Sequence, residues 1–196
     1  MRPKLRRLVL ASTSRYRKEL LERLGIPFET AAPLVDERPL SGEKPRDTAV
    51  RLAQLKAQSV RAAHPAALII GSDQVATSRG KVFSKPGDHT TAARQLRALS
   101  GKHADFLTAV ALLDAANGRI QTEVVPCRVH FRKLDGKRIE RYLKREQPYD
   151  CAGSAKVEGL GIALIARIET DDPTSLIGLP LIALTEMLGR AGLDVV

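Results

Sequence analysis

Residues 67–84 read ALIIGSDQVATSRGKVFS, and this stretch decides the fold class. Ala67 to Gly71 is a short apolar run, the pattern of a strand covered on both faces, as in α/β proteins. Gln74 to Ser84 reads as a small hairpin turning at Ser78-Arg79-Gly80, and its strands are antiparallel. A sheet holding both is mixed. Asp73 is expected just past the end of the first strand, with Gly71 letting the backbone turn.

Toward the C-terminus, a helix is expected from about Thr90 to Ser100, ended by Gly101. Residues 105–113 and 119–132 look like two long strands joined through Asn117-Gly118, a strong hairpin signal. Asp135 caps a very basic helix that runs to about Glu146. The glycine-rich CAGSAKVEGLGIALI (151–165) leads into another strand, and Pro180 opens a closing helix to about Arg190. Toward the N-terminus, Leu8-Val9-Leu10 reads as a buried strand. Ser14 caps the helix that follows, and Gly25 ends it. Ile26 to Ala32 reads as a strand. Residues 33–46, with Pro33, Pro39, Gly42 and Pro45, read as a loop, and a long helix then runs to about Ala63, stopped by His64-Pro65. Strands and helices alternate, but hairpins interrupt them. The expected class is α/β with a mixed, partly antiparallel sheet flanked by helices. At 196 residues the chain can bury one real core, so residues 1–196 are expected to form a single domain.

Apolar residues make up 43% of the chain and charged residues 28%, the balance of a globular protein in water. No run reaches the length needed to cross a bilayer. The opening MRPKLRRLVLAS has a basic head, but its apolar run is too short for a signal peptide, so a cytoplasmic location is expected. Cys127 and Cys151 lie far apart in no CxxC and read as free thiols. The net charge of +10 is unevenly placed. Residues 1–25 carry eight Lys/Arg against two Asp/Glu, and residues 126–147 carry eight against three. Such patches suit a polyanion. The second reads as a solvated basic surface.

Several residues look out of place. Ala49, Leu52, Ala53, Lys56, Val60 and Ala63 form one stripe at helical spacing, so a lysine interrupts an apolar face. Either its stem crosses the core edge and the amine reaches water, or the amine enters a pocket to meet an anion. Asp73 at a strand end is a candidate metal ligand or general base. Ser12 follows a buried strand and precedes a helix N-terminus, where free N–H groups favour a phosphate. Arg15, Arg17 and Lys18 oppose the dipole of that helix, a local conflict that points to function. Lys85, before Pro86, reads alone as a solvated loop residue. No GxxxxGK[ST], HExxH or GxSxG occurs. GLGIAL (159–164) fails GxGxxG at its last position and leads into a strand.

Taken together, LASTSRYRKELLERLGIPFE, VDE, RLAQLKA, IIGSDQV, SKP, LSG, CAGSAKVEGLGIAL and LIGLPLIAL resemble the Maf family of nucleoside triphosphate pyrophosphatases. The blocks run in order over almost the whole chain. The resemblance implies a Maf/inosine-triphosphatase-like fold with two lobes around a cleft. It implies hydrolysis of a nucleoside triphosphate to monophosphate and pyrophosphate with a divalent metal, magnesium or manganese. Within the family the chain is most similar to the 7-methyl-GTP pyrophosphatase branch. It shares an aromatic at Tyr16, Gln74 where the common pattern has threonine, and the acid Glu158. It departs at Arg15, where the family has proline, and at Tyr16, where the branch has tryptophan.

Carried onto this chain, the resemblance implies that Asp73 is the general base and a metal ligand, with Glu37 of VDE as a second ligand. Ser12, Arg17, Lys56 and Lys85 hold the triphosphate. Tyr16, Gln74 and Glu158 set the base, because an aromatic face attracts the cationic N7-methylated ring and a carboxylate accepts from guanine N–H groups. The partner is the nucleotide, with no specific nucleic acid and no membrane, and the family allows a homodimer. One alternative is the same reaction on dTTP, UTP or another unusual nucleotide. An alternative of another class is a nucleic-acid-binding or septum-formation regulatory protein acting through the basic patches. The chain's few aromatics and its strand-end carboxylate argue against that class.

Overall fold

The computed structural model describes residues 6–196. Residues 1–5, with two cations of the N-terminal basic run, lie outside the described part. The element order is β1 (Leu8–Ala11), α1 (Arg15–Glu22), β2 (Glu29–Ala31), α2 (Pro45–Ser59), β3 (Leu68–Ser78) and β4 (Lys81–Phe83). Then come α3 (His89–Leu99), β5 (His103–Asp114), β6 (Ile120–Phe131), α4 (Gly136–Glu146), β7 (Ile165–Thr170) and α5 (Leu181–Arg190). Parallel and antiparallel pairs both occur, so the α/β class with a mixed sheet is the observed one. No helix among the described residues is long and apolar enough to cross a membrane.

The chain divides into two compact units. One comprises residues up to Gln74, Thr108–Val125 and Asp172–Val196; the other comprises Val75–Leu107 and Pro126–Asp171. Strands β3, β5 and β6 contribute to both.

In the first unit, β1 pairs in parallel with β2 on one side and β3 on the other, in the register Val9↔Glu29 and Val9↔Ile69. Alternation along these strands sorts their side chains between two layers. Leu8, Leu10, Leu68 and Ile70 pack with Leu20 and Leu21 of α1 and with Leu184, Met187 and Leu188 of α5. Val9, Ala11 and Ile69 pack on the other face with Ala57 and Val60. This is why the apolar runs at 8–11 and 67–70 do not alternate in polarity: both faces are covered.

One sequence expectation is overturned here. β3 does not end at Gly71; it runs unbroken through Ser72, Asp73 and Gln74 to Ser78. Gly71 is not a turn. A Cβ at this position would lie 2.0 Å from the Ala53 carbonyl oxygen and 2.8 Å from the Ala57 nitrogen. Glycine is there because α2, lined by the fully buried Ala49, Ala53 and Ala57, lies backbone-close against the strand. Asp73 is therefore a mid-strand residue. The hairpin itself forms as expected, with β4 antiparallel to the end of β3 and Ser78 opposite Lys81.

In the second unit, β7 pairs antiparallel with β6, with Cys127 opposite Thr170. Helices α3 and α4 bury Leu96, Leu99, Ile139 and Leu143 and lie against each other. Asp88 and Asp135 cap them, each carboxylate accepting a backbone N–H three residues on. Both cysteines are free thiols, and burial pushes Cys127 up to about 11. The glycine-rich segment forms short 3-10 turns at Ala152–Ser154 and Leu160–Leu164 before β7.

Candidate active site

The first unit resolves the question posed by Lys56. Period-2 alternation turns Ile69, Gly71 and Asp73 toward α2. The stripe on α2 turns Lys56 toward the strand. The side chain of Lys56 is only 6% exposed, so its amine does not reach for water. The ammonium donates to Asp73 Oδ1 at 2.6 Å and stands 2.8 Å from Glu37 Oε1. The expected anion is thus supplied by the protein itself, as two carboxylates on one ammonium.

Glu37 comes from the loop before α2, and the neighbouring charges explain why it, and not Asp36, is the partner. Arg38 holds Asp36 through both carboxylate oxygens, at 3.0 and 2.9 Å from Nε. The same guanidinium lowers the Asp36 carboxyl below its usual range. The loop is anchored by Glu43, which takes Arg51 Nε at 2.6 Å, Thr48 Oγ1 at 2.9 Å and the Leu40 N–H at 3.1 Å. Arg51 above all holds Glu43 down at about 2, against the effect of burial. Glu37 itself stays largely exposed, at 62%.

At the turn from β1 to α1, Ser12 is buried and its Oγ accepts the Ser14 N–H at 3.1 Å. Ser14 in turn caps α1, accepting the Arg17 N–H. The half-buried Arg17 donates Nε to the Gly178 carbonyl at 2.8 Å. Its two Nη groups make no hydrogen bond to a described residue. Burial lowers the Arg17 guanidinium from its ordinary value, while the nearby charges of Asp73 and Glu37 favour its charged form. Arg17 and Lys56 therefore share the same two carboxylates electrostatically.

Ser72 and Gln74 point to the face opposite Asp73. Ser72 Oγ lies within hydrogen-bond distance of the Ala109 and Gly178 carbonyls. The Gly178 carbonyl thus ties β3 to Arg17. Gln74 Nε2 faces three acceptors, Thr108 Oγ1 at 2.9 Å, the Ser175 carbonyl at 3.0 Å and the Leu176 carbonyl at 3.1 Å. Thr108 spends its own proton on the Ser175 carbonyl. This orients the amide, leaving Oε1 with no partner among the described residues. Tyr16 carries the Arg15 guanidinium over its ring, 4.7 Å from the centroid, and accepts Arg15 Nη2 at 2.7 Å on its hydroxyl.

Lys85 and Glu158 belong to the second unit. Lys85 is exposed after β4, with no side-chain partner among the described residues. Glu158 is exposed too, and partial burial nonetheless raises its carboxyl, helped by Glu146 and Asp150 and opposed by Lys156.

Sequence reasoning did not single out Ser72, Thr108, Ser175 or the Glu43–Arg51 pair. The signal for Ser72 and Thr108 is that they are fully buried hydroxyls in otherwise apolar strands, and each meets a carbonyl. Asp172 was also missed: it caps α5, accepting the Ile182 N–H at 2.8 Å, and fixes the segment that presents Gly178. Among the described residues, no cluster of three or more His, Cys, Asp and Glu stands ready to hold a metal. The pair Asp73 and Glu37 fits a hard divalent cation of the kind that takes one or two carboxylates and completes its shell with substrate phosphates.

An α/β protein that gathers a lysine, an arginine and two carboxylates at the edge of a parallel strand pair is equipped to hold a polyanion against an acid. The chain belongs to the Maf-like protein family, which matches residues 7–191. It is 58% identical over 188 residues to the 7-methyl-GTP pyrophosphatase of Thiobacillus denitrificans, covering 96% of this chain and 94% of that relative. It is 53% identical over 189 residues to the protein of the same name from Nitrosospira multiformis, covering 96% of each. With the one from Burkholderia thailandensis it shares 56% identity over 192 residues, 96% of this chain and 89% of the relative.

Proposed function

We propose that this protein hydrolyses 7-methyl-GTP to 7-methyl-GMP and pyrophosphate. The observation that carries the reading is the Lys56–Asp73–Glu37 cluster, with Arg17 in its field. It lies in a chain more than half identical to proteins named for that reaction.

In this reading Asp73 takes a proton from a water whose oxygen attacks the α-phosphorus. The bond between that phosphorus and the α–β bridging oxygen breaks, and pyrophosphate leaves. Lys56 and Arg17 offset the charge that develops on it, and Ser12 holds a phosphate oxygen at the helix start. Asp73 and Glu37 would hold magnesium or manganese, which neutralises phosphate charge when bound. Lys56 bridges the same carboxylates, so it orients them before any cation arrives. Tyr16 offers its ring to the cationic base. The fixed amide of Gln74 keeps Oε1 as an acceptor for guanine N–H groups. Lys85 and Glu158 keep the roles that the family resemblance implies, as a phosphate contact and a base contact. The reading also places the protein in the cytoplasm, where nucleotide pools are, and takes the homodimer as its assembly.

A panel of nucleoside triphosphates with magnesium, scored for pyrophosphate release, tests the proposal. 7-methyl-GTP is expected to be turned over best. Preference for dTTP or UTP would overturn the substrate, and no release from any of them would overturn the reaction.

A further inference from the structure

The second unit contains a groove of about 330 Å³ that uses none of the residues assigned above. Helix α4 contributes Arg138, Arg141 and Arg145, and the 3-10 turn contributes Leu160, Ala163 and Leu164. Tyr142 lines it between them. Spacings of three and four residues set the three guanidiniums on one helix face, over about 10 Å of axis.

None of the three makes an ion pair or side-chain hydrogen bond to a described residue, although α4 carries acids. Those acids are committed elsewhere. Glu140 pairs with His89 at 3.0 Å. Glu146 takes Lys156 Nζ at 2.7 Å and the Leu160 N–H at 2.6 Å. Asp135 caps the helix. Arg138 and Arg141, three residues apart, repel each other on that face, while Arg145 stands in the last turn, where a cation suits the helix dipole and where it also acts to lower the Glu146 carboxyl.

The groove is also preformed. Glu146 staples the turn to α4. Burial acts to raise its carboxyl, but Lys156 and the Leu160 N–H outweigh that and hold it low. The Tyr142 hydroxyl accepts the Lys156 N–H at 2.9 Å. A Cβ on Gly159 would meet Glu146 Oε2 at 2.6 Å, and one on Gly161 would meet the Lys156 carbonyl oxygen at 2.4 Å. The two glycines of GLGIAL therefore permit the close packing that shapes this wall.

We propose that the α4 groove binds a small organic phosphate, its phosphate on the arginine row and its apolar body against Leu160 and Ala163. Guanidinium forks match phosphate oxygens in pairs, and three cations in a row suit a doubly charged phosphate monoester better than a singly charged carboxylate. The volume is that of a small-ligand site. A nucleic-acid strand is disfavoured because the one aromatic lining the groove, Tyr142, is buried and offers no face for stacking.

The test is a titration of the full ¹⁵N-labelled chain with 1-naphthyl phosphate, guanosine monophosphate and inorganic pyrophosphate, followed by amide shifts. 1-naphthyl phosphate is expected to give saturable shifts at residues 138–145 and 160–164. The Arg138→Gln/Arg141→Gln double variant, altered only at exposed positions, should bind at least tenfold more weakly with an unchanged circular dichroism spectrum. Asp73→Asn should bind as the wild type does. Guanosine monophosphate shifting the same amides would make the natural ligand a nucleotide; 1-naphthyl phosphate alone doing so would make it another phosphate ester. The proposal is overturned if no saturable shift appears at these amides, or if the double variant binds equally well. It is also overturned if pyrophosphate or 1-naphthol binds there as tightly as 1-naphthyl phosphate, or if only an RNA oligonucleotide or acidic peptide moves them.

Discussion

Lys56 Nζ stands 2.6 Å from Asp73 Oδ1, across seventeen residues of chain, with both side chains almost wholly buried. Removing one member of a buried pair leaves the other charge uncompensated, which typically costs about 3–5 kcal/mol. Lys56→Met should therefore lower urea stability by roughly that amount, and Lys56→Met with Asp73→Leu should recover most of it. Asp73→Asn keeps an acceptor for the ammonium but removes the carboxylate proposed as the base. It should stay folded and lose on the order of 10²–10³ in pyrophosphate release. Near wild-type release from Asp73→Asn would remove Asp73 from the chemistry.

Glu37 meets the same ammonium but is mostly exposed, so the same logic predicts a different outcome. Exposed pairs contribute roughly 0–1 kcal/mol. Glu37→Gln should leave urea stability within about 1 kcal/mol of wild type. In its proposed role as a metal ligand, its loss should raise the magnesium needed for half-maximal activity several-fold. An unchanged magnesium curve would show that Glu37 serves Lys56 alone.

The Glu43 anchor gives the pH dependence. Its carboxyl sits at about 2 in the folded chain against an ordinary 4.5. The unfolded chain therefore takes up the proton first as pH falls. The stabilisation is fully present above about pH 4.5 and is lost progressively down to about pH 2. Asp36, Asp88, Asp114 and Glu146 are lowered as well and share the acid loss. Glu43→Gln should be less stable at neutral pH and should show a shallower fall of stability across that window. A parallel pH profile for variant and wild type would contradict the assignment.

The sequence carried the layers of the first unit well. The apolar run at 8–10 reads as a buried strand and that at 67–71 as one covered on both faces, as both are in the fold, and the caps at Ser14 and Asp135 stand where their residue types require. Gly71 was misread because glycine signals both a turn and a close approach, and only knowledge of which helix crosses the strand separates the two. Lys56 was legible as a conflict on its helix, but its partners lie on a strand and a loop that periodicity does not bring together. Glu37 could not be told from Asp36 until Arg38 was seen to hold the latter. Lys85 and Glu158 were visible only through the family resemblance, since an exposed lysine and an exposed glutamate announce nothing locally.

Arg15 and Tyr16 are adjacent on α1, where neighbouring side chains do not ordinarily face each other, yet Arg15 covers the Tyr16 ring and donates to its hydroxyl. If Tyr16 stacks a cationic base, Arg15 is a resident competitor for that face. A cation–aromatic contact at an exposed site is worth about 0.5–1 kcal/mol, or roughly two- to fivefold in affinity. Arg15→Ala should therefore lower KM for 7-methyl-GTP by about two- to fivefold. KM for GTP, whose base is neutral, should change little. Tyr16→Ala should raise KM for 7-methyl-GTP and abolish the benefit of Arg15→Ala in the double variant, because the two substitutions act through one ring. Equal changes in KM for GTP and 7-methyl-GTP would mean that Arg15 acts on the triphosphate and that Tyr16 does not read the methylated base.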